Sequence, residues 1–248
     1  MLSPQQISSF QHRGFCVLER AMPKAHIDGA RAAADALVQA AAQGKPYPPS
    51  FLREGESYEA ISKAGSRFFF SNRCETFPAL EAFVKGQLTG EIARDLLGPA
   101  VCLFNEQVVV KAPQHGDSFA WHQDSGYIRF AHRPYLTLWC ALDDSTRDNG
   151  TVVIIPRDIS KETSVSPHEW DEGGANLVGY RGSEAGEMSK YRPVRSWRFQ
   201  VSPCTAPAPP APTSRVARWF ASTPPGPCCG RIPAGRITGR CRCAQLRR

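Results

Sequence analysis

The stretch Trp121-His122-Gln123-Asp124 decides both the fold and the chemistry that this sequence predicts. It places an imidazole and a carboxylate two residues apart after a β-rich run, and residues i and i+2 of a strand point to the same face. Both side chains can therefore bind one metal ion from one side. A non-haem Fe(II) centre takes two imidazoles and one carboxylate on one triangular face and leaves the opposite positions open. His122 and Asp124, the dyad, supply two of these ligands, and no histidine follows His168.

The residues around the dyad are rich in Val, Leu, Phe and Thr and predict strands separated by turns. In Tyr135–Leu142, the residues Tyr, Thr and Trp alternate with Leu, Leu and Cys, which predicts that the first set points outward and the second inward. The predicted strands are Val101–Lys111, Phe119–His122, Tyr135–Leu142 and Thr151–Ile155.

Helical signals precede these strands. Ser3 is a candidate N-cap, and Pro4 stands at the first helical position, so we predict a short helix over residues 4–12. A second helix opened by Pro23 and a helical pair over residues 79–97 follow, with strands at 14–18 and 68–70 between them. Helices first and antiparallel strands second predict an α+β chain with a β-sandwich or barrel core.

The formal net charge of +7 comes from the C-terminal tail, residues 201–248. The tail holds eight arginines and no Asp, Glu or Lys, so the rest of the chain carries 7 − 8 = −1. A nearly neutral body gives no reason to expect a nucleic-acid partner. The length of 248 residues is enough for one large domain with a substantial core.

Neither the N-terminus nor the apolar runs predict a secreted or a membrane protein. No run is long and apolar enough to span a bilayer, and the first residues lack the charged-then-apolar plan of a signal peptide. The cysteines before the tail are scattered, which favours reduced buried thiols over a disulfide framework. We therefore expect a cytoplasmic protein with no membrane partner. These cysteines are Cys16, Cys74, Cys102 and Cys140.

Three motifs in the right order make the chain resemble the phytanoyl-CoA dioxygenase family. They are His122–Tyr127 (HQDSGY), Leu136–Asp144 (LTLWCALDD) and Asp148–Pro156 (DNGTVVIIP). Ile7–Leu18 and Leu96–Pro99 add to the likeness, which covers about residues 2–200. The resemblance implies a double-stranded β-helix core (jelly-roll, cupin-like) with N-terminal helices. It also implies Fe(II) and the co-substrate 2-oxoglutarate.

By this resemblance, His122 and Asp124 are iron ligands, and Lys111 and Trp139 contact 2-oxoglutarate. The residue types suit these roles, because a keto acid chelates two open iron positions and its far carboxylate needs a cation. The implied reaction consumes O₂, converts 2-oxoglutarate to succinate and CO₂, and hydroxylates or otherwise oxidises a small organic substrate at a C–H bond.

The end of the chain departs from the family pattern. The family has a second histidine in a His-x-Ser-Gly-x-Asn motif and then an arginine, whereas residues 201–210 are proline-rich and contain no histidine. Proline at this density does not build a central strand. We therefore predict an oxygenase domain over 1–200 with its last strands missing and an irregular, disordered Pro/Arg/Cys-rich tail over 201–248. The composition of the tail suggests the hypothesis that the reading frame slips near Arg198–Ser202.

The incomplete ligand set leaves alternatives open. His168, in a polar loop that opens a predicted short helix, is either a solvated histidine or a substitute third ligand, and Arg215 lies near the spacing of the family arginine. The leading hypothesis is a 2-oxoglutarate-dependent dioxygenase, and because the distal histidine is absent we expect doubtful activity of the chain as given. The chain is alternatively a non-catalytic jelly-roll module that binds a small molecule, or a non-functional frameshifted product whose unpaired strand edges aggregate.

Overall fold

Helices occupy the first part of the chain and strands the second, as the α+β prediction requires. The structure is a computed structural model, and the fold, the site and their contacts are those of the residues that it describes. These are residues 1–43, 67–71, 73–111, 119–127, 135–144, 151–162, 164–172, 177–188, 196–201, 205–207 and 214–222.

The first helix, α1 (Pro4–Arg13), begins and ends at local sequence signals. The Ser3 hydroxyl accepts a hydrogen bond from the Gln6 amide at 3.2 Å, and the Gln6 side chain accepts one from the Ser3 amide at 2.7 Å. This capping box satisfies two backbone donors that the helix itself leaves open. Gly14 ends the helix with φ 72°, a left-handed conformation that suits a residue without a Cβ. The predicted helix over residues 4–12 is confirmed.

The other predicted helices are also present, as α2 (Lys24–Ala42), α3 (Pro78–Val84) and α4 (Gln87–Leu97). They share one hydrophobic core with the strands of the larger sheet. Within the described residues, no helix combines the length and the apolar character that a bilayer-spanning segment needs. The helix α2 presents a fully buried stripe, consisting of Ile27, Ala30, Ala34 and Leu37.

Antiparallel strands make up the sheets of the described structure. They are β1 (Phe15–Glu19), β2 (Arg67–Ser71), β3 (Cys102–Lys111), β4 (Leu136–Ala141), β5 (Val152–Ile154), β6 (Glu169–Trp170), β7 (Leu177–Val178), β8 (Glu187–Met188), β9 (Ser196–Val201), β10 (Thr205–Pro207) and β11 (Ser214–Ser222). The larger sheet has the order β1-β9-β4-β11-β3-β2, the smaller sheet has the order β10-β5-β8, and β6 pairs with β7. Neighbours that are distant in sequence are the crossovers of a jelly roll, so the predicted core is confirmed.

The strand β4 shows how the two sheets face each other. Its residues Leu136 and Leu138 belong to the core shared with the helices. The alternate residue Trp139 belongs to a second cluster with Phe15 of β1 and Ile154 of β5. Because β1 lies in the larger sheet and β5 in the smaller one, this second cluster fills part of the space between the sheets.

The prediction that Tyr135, Thr137 and Trp139 point outward is wrong. These side chains are only 4%, 2% and 5% exposed, so both faces of β4 are buried. The alternation is real, but it separates two cores rather than a core from solvent. The sequence of one strand does not reveal that a second sheet covers its other face.

The C-terminal segment contributes more strand than the sequence predicts. β10 pairs with β5, and β11 lies between β3 and β4. The prediction that the last strands are missing is therefore wrong for these two stretches. The expectation that proline is not found in a central strand holds for these two strands. Pro207 is on an edge strand, and the central strand β11 contains no proline. The rest of the predicted tail lies outside the described residues, and the frame-slip hypothesis stays a prediction.

Candidate metal centre

The dyad lies where the chain leaves a single β-bridge and turns. His122 forms the bridge, and Asp124 begins the 3-10 helix Asp124–Tyr127. The predicted strand Phe119–His122 is therefore wrong except for its bridge residue. The turn, and not the alternation of a strand, brings His122 Nε2 to 3.5 Å from Asp124 Oδ1.

Each member of the dyad is oriented by a hydrogen bond through its other polar atom. His122 Nδ1 lies 2.7 Å from the Ala120 carbonyl oxygen, which can only accept, so Nδ1 carries the proton. The other ring nitrogen, Nε2, faces Asp124. The Thr137 hydroxyl donates to Asp124 Oδ2 at 2.8 Å. Such bonds fix the tautomer and orientation of metal-ligating side chains, and both members of the dyad are buried.

The facing atoms of the dyad can share either a cation or a proton. A nitrogen lone pair and a carboxylate oxygen 3.5 Å apart repel unless a cation or a proton lies between them. An imidazole and a carboxylate are also ligands of the facial Fe(II) site. Among the described residues, no group of three or more His, Cys, Asp and Glu side chains could hold a metal ion. The dyad therefore fits two of the three protein ligands of such a centre.

His168 lies against the dyad segment but does not complete the ligand set. Its Nδ1 lies 2.6 Å from the Ser166 carbonyl oxygen and so carries the proton, while its Nε2 accepts a hydrogen bond from the Gln123 amide at 2.8 Å. Burial lowers the pKa of His168, which favours this neutral ring. The structure supports neither sequence-based alternative, because both ring nitrogens are engaged with the protein.

The segment after His168 is a strand rather than the predicted short helix. β6 (Glu169–Trp170) pairs with β7 (Leu177–Val178). The Trp170 ring lies 6.3 Å from the Tyr127 ring, which lies 5.4 Å from the His122 ring. Tyr127 and Trp170, the mouth aromatics, are 39% and 38% exposed and connect the buried imidazole with the surface. Sequence analysis missed this pair, although Tyr127 ends the HQDSGY motif.

Lys111 is the last residue of β3, and its side chain lies over an aromatic ring that contacts the dyad. Its residue is only 4% exposed, and its Nζ lies 5.6 Å from the centre of the Phe119 ring. The Phe119 ring in turn lies 6.1 Å from the His122 ring in an edge-on arrangement. The described residues therefore link this predicted keto-acid contact to the dyad through one aromatic side chain.

Trp139 does not lie beside Lys111. Along β11, Lys111 is opposite Ser214 and Trp139 is opposite Arg218, so the two positions are separated by about 13 Å along the strand. Trp139 instead belongs to the apolar cluster between the sheets. Arg215, the residue near the family arginine spacing, is opposite Val110 on β3, and its side chain lies outside the described structure.

Sequence comparisons identify relatives of the chain. The model of the family described as Phytanoyl-CoA dioxygenase (PhyH) matches residues 10–176. The "Probable alpha-ketoglutarate-dependent hypophosphite dioxygenase" of Stutzerimonas stutzeri is 27% identical over 107 residues, which cover 42% of this chain and 37% of the relative. The "2-aminoethylphosphonate dioxygenase" of uncultured bacterium HF130_AEPn_1 is 32% identical over 98 residues, covering 38% and 36%. The chain thus spans little more than a third of the length of these relatives.

Solved structures share the fold of the chain. EvdO2 from Micromonospora carbonacea var. aurantiaca matches with a TM-score of 0.68 at 18% identity, over 94% of this chain and 96% of EvdO2. EvdO2 has also been crystallised as a complex with 2-oxoglutarate. At 18% identity the likeness concerns the fold alone, and the shared fold covers most of both chains.

Proposed function

This chain belongs to the phytanoyl-CoA dioxygenase family, and from this membership we propose that it is a non-haem Fe(II) and 2-oxoglutarate-dependent oxygenase of a small organic molecule. The matched residues 10–176 include the dyad, Lys111 and Trp139. When bound, iron and 2-oxoglutarate supply the oxidising chemistry, in which O₂ is consumed, succinate and CO₂ leave, and a substrate C–H bond is oxidised. The protein supplies the binding, the orientation and the exclusion of water.

The geometry of the dyad is the observation that carries this proposal. His122 Nε2 and Asp124 Oδ1 face each other at 3.5 Å and would each provide one iron ligand. The Ala120 carbonyl holds the proton on Nδ1, so that the imidazole presents a lone pair at Nε2. The Thr137 hydroxyl holds the second carboxylate oxygen and keeps the first directed at the imidazole. The site is thus oriented before a metal arrives.

Lys111 is the residue that we propose for the far carboxylate of 2-oxoglutarate. The far carboxylate of a keto acid needs a cation, and the ammonium group of Lys111, a residue that is 4% exposed, would supply it. Its Nζ lies over the Phe119 ring, and that ring contacts the His122 ring, so a single aromatic side chain separates the amine from the dyad. We propose that Trp139 lines the apolar wall between the sheets, away from the carboxylate end of the keto acid that Lys111 would hold.

The mouth aromatics define where we propose that the substrate enters. Tyr127 and Trp170 are the described aromatic residues that link the His122 ring to solvent. Aromatic rings bind apolar or cationic faces of an organic molecule. The two sequence relatives are named for different substrates, so family membership indicates the reaction rather than the molecule that is oxidised.

An anaerobic titration tests the proposed function. Fe(II) is added, then 2-oxoglutarate, both to the purified protein and to a frame-repaired form that carries the third ligand, and we expect the weak visible charge-transfer band of a chelated keto acid in the repaired form. The band should be absent from His122→Ala, whose imidazole ligand is gone. Exposure to air should then produce succinate. A frame-repaired protein that binds iron but leaves 2-oxoglutarate unbound and unconsumed would overturn the proposal.

One observation favours a second candidate, a non-catalytic jelly-roll module that binds a small molecule. The described residues hold no group of three metal-ligating side chains. Such a module would bind 2-oxoglutarate or a similar anion near Lys111 without iron and without releasing succinate. Calorimetric titration of 2-oxoglutarate with and without Fe(II) separates the candidates, because only an oxygenase needs the metal for binding. Both sequence relatives are named dioxygenases, which favours the first candidate.

We propose that a frame slip near Arg198–Ser202 explains the missing third ligand. No histidine follows His168, and the residues after Val201 are rich in Pro, Arg and Cys, as expected for a GC-rich gene read out of frame. Resequencing the gene across this region decides the question. A single inserted or deleted base that restores a His-x-Ser-Gly-x-Asn-like string supports the slip, and an intact frame overturns it.

A reducing, cytoplasmic location is also part of the proposal. The four cysteines before residue 201 are buried thiols. Burial raises the pKa of Cys16 to about 12 and raises that of Cys140 further, so very little thiolate forms at neutral pH. Buried neutral thiols of this kind suit a reducing compartment. Native mass spectrometry after alkylation should find these thiols unmodified and reduced.

A further inference from the structure

His168 contacts the peptide unit that joins the two members of the dyad. Its Nε2 accepts a hydrogen bond at 2.8 Å from the amide of Gln123, which stands between His122 and Asp124. We propose that His168 is a positioning residue that holds the dyad in its metal-binding geometry, an inference that rests on the proposed function of the dyad. The contact joins residues that are 45 positions apart in the sequence.

The His168 ring occupies a slot that requires glycine at two positions. A Cβ on Gly126 would lie 2.3 Å from the His168 Cγ, and a Cβ on Gly179 would lie 2.2 Å from its Nε2. Distances this short force the ring to move. Gly179 also donates its amide hydrogen to the Trp121 carbonyl at 2.7 Å, next to the dyad. The slot therefore joins His168 to the chain on both sides of the dyad.

Ser166 sets the tautomer that the slot needs. Its carbonyl oxygen accepts from His168 Nδ1 at 2.6 Å, which leaves Nε2 as the acceptor for the Gln123 amide. The Ser166 amide donates to Gln123 Oε1 at 2.6 Å. The main chain and the side chain of Gln123 are thus both held by the same segment, Ser164–His168.

This geometry requires a hydrogen-bond acceptor at the position of His168 Nε2 and does not depend on the volume of the ring. His168→Phe keeps a ring and removes both nitrogens. His168→Gln removes the ring but places an amide oxygen where Nε2 stood. A residue that only fills space is replaced better by Phe, whereas a residue that holds the Gln123 amide is replaced better by Gln.

The test measures Co(II) affinity by its visible absorption and the exchange of the Gln123 amide hydrogen by NMR, in wild type and both variants. We expect His168→Phe to weaken Co(II) binding about tenfold, the lower end of the range for residues that orient metal ligands. We also expect faster exchange of the Gln123 amide in this variant. His168→Gln should restore both the affinity and the slow exchange.

Gly179→Ala tests the same contact without altering His168. Its Cβ displaces the ring, so we expect the same weaker Co(II) binding and faster Gln123 exchange. Gly182→Ala is the matched control, because its Cβ meets the far end of the Tyr180 side chain, which can swing away. Thermal melting of each variant shows whether it is folded, and Gly179→Ala serves if His168→Phe is not.

The outcomes separate this inference from the proposed function. The metal function is overturned if neither the wild type nor its frame-repaired form binds Co(II), and Gln123 exchange then still decides whether His168 holds the peptide. If the wild type binds Co(II), and His168→Phe matches it in affinity and exchange, the positioning inference is overturned. The inference also fails if Phe restores what Gln does not, because the ring then acts by packing.

Discussion

The dyad segment, residues 119–127, and the C-terminal strands β9, β10 and β11 are held in the fold by different kinds of contact. The dyad is held through its side chains, because His122 Nδ1 donates a hydrogen bond to the Ala120 carbonyl and the Thr137 hydroxyl donates one to Asp124. The C-terminal strands join the fold through backbone pairing, with β11 between β3 and β4 and β10 beside β5. No histidine follows His168 and no acidic residue follows Glu187, so these strands bring no imidazole and no carboxylate.

This difference shows that a strand and the ligand it carries are separable. Hydrogen bonds of an antiparallel ladder join backbone groups and do not depend on which side chains the strand presents. A segment with an altered sequence can therefore keep its place in a sheet while its donor atoms are lost. The dyad has no such tolerance, because its two ligand atoms and their outer partners are all specific side-chain or carbonyl contacts.

Truncation after Val201 should have the largest effect. Removing β11 leaves the facing edges of β3 and β4 unpaired in the centre of the larger sheet, and open edges promote aggregation. We expect loss of soluble protein, measured as yield and as the absence of a cooperative melting transition. Truncation after Ser222 keeps β11 and is the control. A soluble, cooperatively melting chain that ends at Val201 would show that the C-terminal strands are dispensable.

His122→Ala should abolish the chemistry while leaving the fold. One of the two proposed ligand atoms is removed, so we expect Co(II) affinity to fall by more than about 100-fold, beyond the effect of losing an outer partner. Isothermal titration and thermal melting measure the two effects separately. His12→Ala is the matched control, because its side chain is 58% exposed on α1 and pairs with Asp158 at the surface. Equal loss in both variants would contradict a metal role for the dyad.

Thr137→Val should weaken metal binding with little loss of stability. The substitution keeps the shape of the buried side chain and removes the hydroxyl that donates to Asp124 Oδ2. We expect Co(II) affinity about tenfold lower, as for other residues that orient a metal ligand. The neighbour Leu138 faces the helix core on the same strand and is fully buried.

Leu138→Ala should have the opposite effects to Thr137→Val, with a large loss of stability and little change in metal affinity. Deleting a buried leucine side chain should lower the free energy of unfolding by about 2–5 kcal/mol, because a cavity remains in the helix-facing core. Metal affinity measured well below the melting temperature should stay near that of the wild type. If Thr137→Val lowers stability as much as Leu138→Ala does, the hydroxyl serves the fold rather than the dyad.

Local signals explain which parts of the fold could be predicted from the sequence. The cap at Ser3 and the end at Gly14 use neighbouring residues, so α1 was predictable. The buried second face of β4 was not, because β5, which covers it, is a separate stretch of chain. β10 was missed because three residues held by backbone pairing leave no apolar pattern to read.

In the candidate site, too, some contacts could be predicted from the sequence and others could not. The pairing of His122 with Asp124 was predicted from their spacing, although a turn rather than a strand produces it. The contact of His168 with Gln123 spans 45 positions and could not be inferred from either segment alone. Tyr127 and Trp170 also come from separate segments of the chain. The sequence around an exposed aromatic residue does not indicate which other ring it contacts.

Gln123→Met should have the smallest effect and separates the side chain of Gln123 from its main chain. Methionine has a similar length but gives up the hydrogen bond from the Ser166 amide at 2.6 Å and the contact with the Ser164 carbonyl at 3.5 Å. We expect a loss of about 1–2 kcal/mol in the free energy of unfolding, because one partly buried donor loses its acceptor. Co(II) affinity should change far less than in His168→Phe, since the bond from the Gln123 amide to His168 Nε2 is kept. If Gln123→Met instead weakens Co(II) binding as strongly, docking of the whole Ser164–His168 segment, and not the single bond to the imidazole, holds the dyad.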